Sequence, residues 1–373
     1  MRGGVAMKNN KKAYIVLEDG QVFEGRLFGS ERDVIGEMVF TTGMTGYIET
    51  LTDPGFYGQI IIQTFPLIGN YGVMPSDSES TDDSISAAGY VVREKCDLPS
   101  NFRSEEDIDS FLKRKGIVGV YGVDTRLLTG IIREKGVLNA MICTDKTKAD
   151  LNTIAGFTVR DAIKNTSHSE KKVYGISRRL YRVALIDYGV KRSIIRMLNE
   201  HGCEVTIFRY DVKAEEISGG CFDGLMLSNG PGDPKQNGYC IEQLRLLIGV
   251  LPIFGICIGH QLLALAFGGD TKKLKYGHRG ENQPVTNLET GRTYITSQNH
   301  GYVVDSDSIN KDVGRLSYIN ANDSTCEGME YPGHKAFSVQ FHPEACGGPL
   351  DTEFLFDDFI ELIKKEASVN AEE

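Results

Sequence analysis

The sequence predicts an α/β protein in two parts: a C-terminal open, mostly parallel sheet with flanking helices, preceded by a strand-rich, mixed α/β N-terminal domain. Three observations carry this prediction. At 373 residues the chain is long for a single hydrophobic core. From residue 183 onward, short apolar runs alternate with helix patterns, as expected of parallel strands covered on both faces. Before residue 144, turn-rich strand patterns prevail without that alternation.

Taken in order, "AYIVLEDGQVFEGRL" (13–27) reads as a hairpin, because Asp19-Gly20 supplies turn chemistry between two β-rich runs. "IGEMVF" (35–40) and "GQIIIQTF" (58–65) are further strands, and the acidic "SDSESTDDS" (76–84) reads as a solvated loop. Periodicity weakens from Thr144 to Arg182, and the domain boundary is placed there: 1–180 with its linker, then 181–373. Beyond it, "VALIDY", "EVTIFRY", "GLML" and "PIFGIC" are strands, while "KRSIIRMLNEHG", "IEQLRLLIG" and "HQLLALAFGG" are helices. "RTYITSQNHGYVV" and "HKAFSVQFHPEA" return to strand patterns. In the final helix, Phe356, Phe359, Ile360 and Ile363 recur at helical spacing and form a core-facing stripe.

Composition narrows the function. Forty-one basic residues against 51 acidic ones give a formal charge of −10, which disfavours nucleic acid as a partner. No run approaches the length of a membrane span, and the N-terminal residues lack a signal-peptide pattern, so a cytoplasmic location is expected. The eight cysteines include no C-x-x-C pair, so neither a disulfide framework nor a metal site is expected. There is no Gly-Lys dipeptide and no G-x-G-x-x-G, hence no recognisable phosphate cradle, although other ATP folds stay open; no cofactor is expected on this chain.

One cysteine stands apart. In "PIFGICIGHQLL", Cys257 lies between Gly255 and Gly259, where a strand ends and a helix begins. Small neighbours at these offsets permit the sharp turn that exposes a nucleophile, and a helix N-terminus favours a thiolate. A base is needed, and "FSVQFHPEA" offers His342 with Glu344 as its orienting carboxylate. "LSNGPGDP" (227–234) offers open backbone for an oxyanion. Taken singly, the stretches read better as a buried thiol, a strand-end histidine with an exposed charge, and an ordinary turn; Asp233 reads as a loop or capping residue. His260, beside the elbow, is read as a residue of the first helical turn and not as the base.

Together the three stretches resemble the class I glutamine amidotransferases, over roughly residues 180–366. In the first half, "EDGQVFEGRLFG", "MTGYIETLTDPGFYGQIII", "FPLIGNYG" and "GVDTRLLTGIIREKG" are similar to the small, glutamine-hydrolysing chains of carbamoyl-phosphate synthases, as are "IDYGVKRSIIRML" and "SQNHGY". The resemblance implies hydrolysis of L-glutamine by Cys257, His342 and Glu344. It assigns the oxyanion hole to the backbone around Gly232 and Ile258, and substrate contacts to Gly230, Gln261, Asn299, Gly301 and Tyr302. It also implies a large synthetase subunit as partner, in a heterodimer or a higher assembly of heterodimers. That subunit would carry ATP and Mg and make carbamoyl phosphate from bicarbonate for arginine and pyrimidine biosynthesis.

One position departs from the family pattern: Gly55 stands where a serine usually follows Thr-Asp-Pro, so the glutamine contact of that hydroxyl is not carried over. The rival readings are an amidotransferase subunit of another pathway, against which the N-terminal half argues, and a non-catalytic regulatory subunit, against which the intact Cys257, His342 and Glu344 argue.

Overall fold

A computed structural model describes residues 11–345 and 347–372, with side chains described as far as Ser368. The chain forms two compact units. The first takes the residues up to Leu51, Gly58–Asp77 and Ser84–Val159; the second takes Thr52–Tyr57, Ser78–Asp83 and the chain from Arg160. The polar stretch before residue 180 thus lies, from Arg160 on, in the second unit.

In the first unit the strands are β1 (Lys12–Leu17), β2 (Val22–Gly29), β3 (Val34–Thr41), β4 (Gln59–Gln63), β5 (Leu67–Ile68), β6 (Gly89–Val92), β7 (Glu94–Lys95), β8 (Val118–Tyr121) and β9 (Leu138–Cys143). The expected hairpin is present: β1 and β2 pair antiparallel around Gly20, whose φ of 86° needs a residue without Cβ. A closed barrel in the order β1-β2-β8-β6-β4-β3-β9 follows, completed where β9 pairs antiparallel with both β1 and β3. Closure removes both sheet edges. Ile60, Ile61 and Ile62 of β4 are all buried, so this strand is covered on both faces. Helices α1 (Tyr47–Thr52), α2 (Ile108–Arg114), α3 (Thr125–Lys135) and α4 (Leu151–Ala155) complete the sequence as far as Val159. Asp107, Asp124 and Asp150 cap the last three by accepting main-chain N–H bonds.

The second unit is built on a ten-stranded sheet ordered β10-β12-β11-β13-β14-β19-β18-β17-β15-β16. Its strands are β10 (Lys172–Tyr174), β11 (Tyr181–Asp187), β12 (Cys203–Arg209), β13 (Gly224–Leu227), β14 (Ile253–Ile256), β15 (Asp270–Asn287), β16 (Thr293–Asp305), β17 (Arg315–Asn320), β18 (Cys326–Tyr331) and β19 (Ala336–Val339). Its helices are α5 (Ala162–Thr166), α6 (Arg192–Glu200), α7 (Ala214–Ser218), α8 (Gly238–Leu247), α9 (Ile258–Ala266) and α10 (Phe354–Glu372). Strands β12, β11, β13, β14 and β19 are parallel, as the alternation of strands and helices predicts, and antiparallel strands extend this core on both sides.

Period-two alternation divides the core between the two faces. Ala184, Ile186, Leu225 and Leu227 join one buried cluster with residues of α7, α8 and α9. Val183, Leu185, Met226 and Phe254 join the other with residues of α6 and the α10 stripe Phe356, Phe359, Ile360 and Ile363. The parallel strands therefore read as continuous apolar runs, and their carboxyl ends are left as the place where polar groups gather.

Candidate active site

Cys257 follows β14 directly and His342 lies three residues beyond the end of β19, the parallel neighbour of β14. Adjacent carboxyl ends thus bring together residues far apart in the chain. Cys257 sits at φ 55°, ψ −107°, a left-handed conformation that a residue with a Cβ adopts only at a cost, here about 1–3 kcal/mol. Gly259 permits it: a Cβ there would lie 2.5 Å from the Leu227 carbonyl oxygen. The Cys257 amide donates to Val339 O at 2.9 Å and the Gly259 amide to Ser228 O at 3.2 Å. Between them, the Ile258 amide makes no hydrogen bond among the described residues. That is the condition an oxyanion donor must meet.

His342 is 2% exposed, and its Nδ1 lies 2.6 Å from Glu344 Oε1. Its main-chain N–H donates to Ser297 O at 2.9 Å, which ties it to β16. The other ring nitrogen, Nε2, is buried without a hydrogen-bond partner. Burial works against imidazolium, but Glu344 and Cys257 outweigh it and raise the pKa of His342 above its ordinary value. Burial likewise works against a charged Glu344, yet Lys191 and His342 hold its carboxyl well below the usual range.

Lys191, at 6% exposed, donates from Nζ to Glu344 Oε1 at 2.9 Å. Burial opposes its charge, while Glu344, Glu79 and Asp53 together hold its pKa above the ordinary lysine value. Glu79 and Asp53 are themselves buried. Glu79 Oε2 accepts from the amide and hydroxyl of Ser193 at 3.2 and 2.6 Å. The acidic stretch 76–84, expected to be solvated, is in this respect different: Glu79 and Ser80 are buried, Glu79 because a buried ammonium and two donors compensate its desolvation.

Of the glutamine-contact candidates, Asn299 and Gln261 touch the nucleophile's residue, the Gln261 amide by donating to Cys257 O at 3.2 Å. Asn299 places its main-chain oxygen 3.7 Å from Cys257 Sγ and donates from Nδ2 to Asp53 Oδ2 at 2.8 Å. Gln261 is buried in α9, where its Nε2 donates to Tyr302 O at 2.8 Å and to Gln340 Oε1 at 2.9 Å. Gly301 and Tyr302 follow Asn299 along β16. At Gly230 a Cβ would lie 2.0 Å from Tyr188 O, so only glycine fits, and Gly232 needs its φ of 94°. Asp233 caps a short turn by accepting from the Lys235 amide at 2.9 Å, as a capping residue should.

The sequence reading gave Lys191, Asp53 and Glu79 no role. The signal for Lys191 was a lysine opening an otherwise apolar helix face; nothing local marks the two carboxylates.

His260 is fully buried, with Nδ1 2.8 Å from Ser338 Oγ and Nε2 3.9 Å from Cys326 Sγ. Burial pushes its pKa down to about 3, so it stays neutral. His260→Asn is expected to retain glutaminase turnover within roughly tenfold of wild type while losing about 1–3 kcal/mol of stability through the broken buried hydrogen bond. Steady-state glutamate release and thermal unfolding check both. A further group, His278, His300 and Glu327, has the donor types of a metal site. Both His300 nitrogens are already engaged, by Tyr302 O at 2.8 Å and Gln298 Oε1 at 3.0 Å, and His278 Nε2 lies 2.9 Å from Asp323. The cluster is accordingly a polar network within the sheet.

The chain matches the family model "Glutamine amidotransferase class-I" over residues 184–362 and "Carbamoyl-phosphate synthase small chain, CPSase domain" over residues 15–142. It is 48% identical to the carbamoyl phosphate synthase small chain of Clostridium perfringens, over 94% of this chain and 99% of that one. It is 47% identical to those of Listeria monocytogenes, over 96% and 99%, and Bacillus caldolyticus, over 95% and 97% of the two chains. Among the described residues no helix is long and apolar enough to cross a membrane. With a strand-rich first domain and a cysteine elbow on the amidotransferase sheet, this chain belongs to the carbamoyl phosphate synthase small chain family, glutamine-hydrolysing enzymes with a cysteine nucleophile.

Proposed function

We propose that Cys257, His342 and Glu344 hydrolyse L-glutamine and that the ammonia passes to a large synthetase subunit. The observation that carries this reading is the juxtaposition of a left-handed cysteine elbow with a buried His342–Glu344 pair at the ends of two adjacent parallel strands. The Cys257 thiolate attacks the side-chain amide carbon, and the amide oxygen takes up the displaced electron pair. Amides around Ile258 and Gly232 stabilise that oxyanion. His342, as imidazolium, gives its proton to the leaving nitrogen; the C–N bond breaks and ammonia departs. Water then attacks the γ-glutamyl thioester, His342 accepts its proton, the C–S bond breaks, and glutamate and the thiolate are restored. Glu344 keeps the imidazole in its tautomer and orientation. Gly230, Gln261, Asn299, Gly301 and Tyr302 contact the substrate.

The partner is the large subunit, bound through the N-terminal domain in a heterodimer or an assembly of heterodimers, and working in the cytoplasm. There ATP and Mg, held by the large subunit, convert bicarbonate and ammonia to carbamoyl phosphate for arginine and pyrimidine biosynthesis. Two measurements test this. A thiol-alkylating glutamine analogue is expected to label Cys257, and unlabelled Cys257 would overturn the catalytic assignment. The chain isolated with its large partner is expected to show bicarbonate-dependent ATP hydrolysis, and an ATPase indifferent to bicarbonate would overturn the pathway.

A further inference from the structure

Asn299 and Gln261 carry carboxamides close to the nucleophile in the chain or in space, and in both the NH2 end donates to a group that only accepts hydrogen bonds, that of Gln261 also to Gln340 Oε1. Asn299 Nδ2 donates to the Asp53 carboxylate at 2.8 Å, while Gln261 Nε2 donates to the main-chain oxygen of Tyr302 at 2.8 Å. Neither a carboxylate nor a peptide carbonyl can donate, so neither amide can turn round without losing its bond. What each presents on its other side is a carbonyl oxygen. Asn299 Oδ1 and Gln261 Oε1 have no hydrogen-bond partner among the described residues. The Asn299 main-chain oxygen lies 3.7 Å from Cys257 Sγ, and the Gln261 main-chain amide donates to Cys257 O at 3.2 Å, so both residues adjoin the nucleophile.

Asp53 is suited to hold Asn299. Its two oxygens serve two donors: Oδ1 accepts from the Gly55 amide at 2.8 Å and Oδ2 from Asn299. Gly55 is what makes room. A Cβ at that position would lie 2.8 Å from Asn299 Nδ2 and 3.0 Å from Asp53 Oδ1, inside the space this hydrogen bond occupies. The loss of a side chain at residue 55 and the Asp53–Asn299 bond therefore belong together.

We propose that Asp53 is a positioning residue that turns the Asn299 carboxamide so that its oxygen, together with that of Gln261, receives the α-ammonium group of the amino-acid substrate. This rests on the glutaminase reading and gives that site its selectivity for a free α-amino group. An inverted Asn299 would set N–H against N–H and repel the same substrate.

The test compares ammonia release from glutamine and from its deamino analogue, 4-carbamoylbutanoate, using the full chain together with its large subunit. Wild type is expected to prefer glutamine in kcat/KM. Asp53→Asn has one acceptor oxygen where Asp53 has two, so it keeps the local bond to the Gly55 amide and releases Asn299. The preference is expected to fall roughly tenfold, the contribution of one hydrogen bond to a charged group, with the loss appearing in KM for glutamine more than in kcat. Gly55→Ala leaves the carboxylate in place but crowds Asn299 Nδ2, and is expected to lower the preference in the same way. It serves if Asp53→Asn does not fold. A wild type indifferent to the α-amino group, variants that keep the preference, or variants that lose both substrates alike would overturn the proposal, the last being the mark of a purely structural role. Ammonia release by wild type that survives alkylation of Cys257 would instead overturn the glutaminase reading.

Discussion

Cys257→Ser is expected to lower glutamate release from glutamine by about three orders of magnitude or more, the scale of loss when a covalent nucleophile is removed. A serine hydroxyl ionises far less readily than a thiol, and the buried imidazole that would have to take its proton is already inclined to imidazolium by Glu344. The fold has little reason to change. Serine is nearly isosteric, and at φ 55° it bears the same Cβ as cysteine. Cys257 packs in the cluster shared by α6 and α10, where the exchange removes no methylene. Thermal unfolding of Cys257→Ser is expected within a few degrees of wild type. Wild-type glutamate release from this variant would sink the assignment of the nucleophile.

Lys191→Met is expected to damage both stability and turnover. Its ammonium interacts electrostatically with the buried carboxylates of Glu344, Glu79 and Asp53. Removing one partner of a buried ion pair leaves uncompensated charge at a cost of about 3–5 kcal/mol, or roughly 10 °C in Tm for a unit of this size. The pH dependence has a definite sign. Glu344, with a lowered folded pKa, contributes stability that is present above the ordinary carboxylate pKa and lost as pH falls through the folded value. Without Lys191 that folded pKa moves upward, because burial alone would raise it, so the wild-type advantage is expected to be largest at neutral pH and to shrink toward pH 5. Melting temperatures of both proteins at pH 8 and pH 5 check this; a gap that widens on acidification would show the ammonium to be unimportant to the carboxylates. Turnover is expected to fall roughly 10- to 100-fold as Glu344 loses its fixed position against His342.

The legible part of this protein is its local chemistry. The elbow could be read because Gly255, Cys257 and Gly259 act within one turn of chain, and His342 with Glu344 because their bond spans two residues. Parallel strands could be read because burial on both faces leaves uninterrupted apolar runs such as Val183–Ile186. Barrel closure could not, since the pairing of β9 with β1 and β3 is a property of three distant segments. Lys191 reaches Glu344 across 153 positions, and Glu79 reaches Ser193 across 114. No periodicity or motif encodes contacts at that separation, and composition reads acidic residues as solvated unless their counter-ion is known.

The order of residues along the chain and their grouping in space disagree, and this limits how the protein can be divided. The backbone passes between the two units at 51/52, 57/58, 77/78, 83/84 and 159/160. A polypeptide starting at Arg160 contains the nucleophile, the imidazole and their orienting carboxylate, yet it lacks Asp53 and Glu79. Its Lys191 would face Glu344 alone, and its Asn299 amide would be free to rotate. Half the gene therefore does not encode half the machine: the amidotransferase sheet inherits part of its electrostatics from codons that precede it.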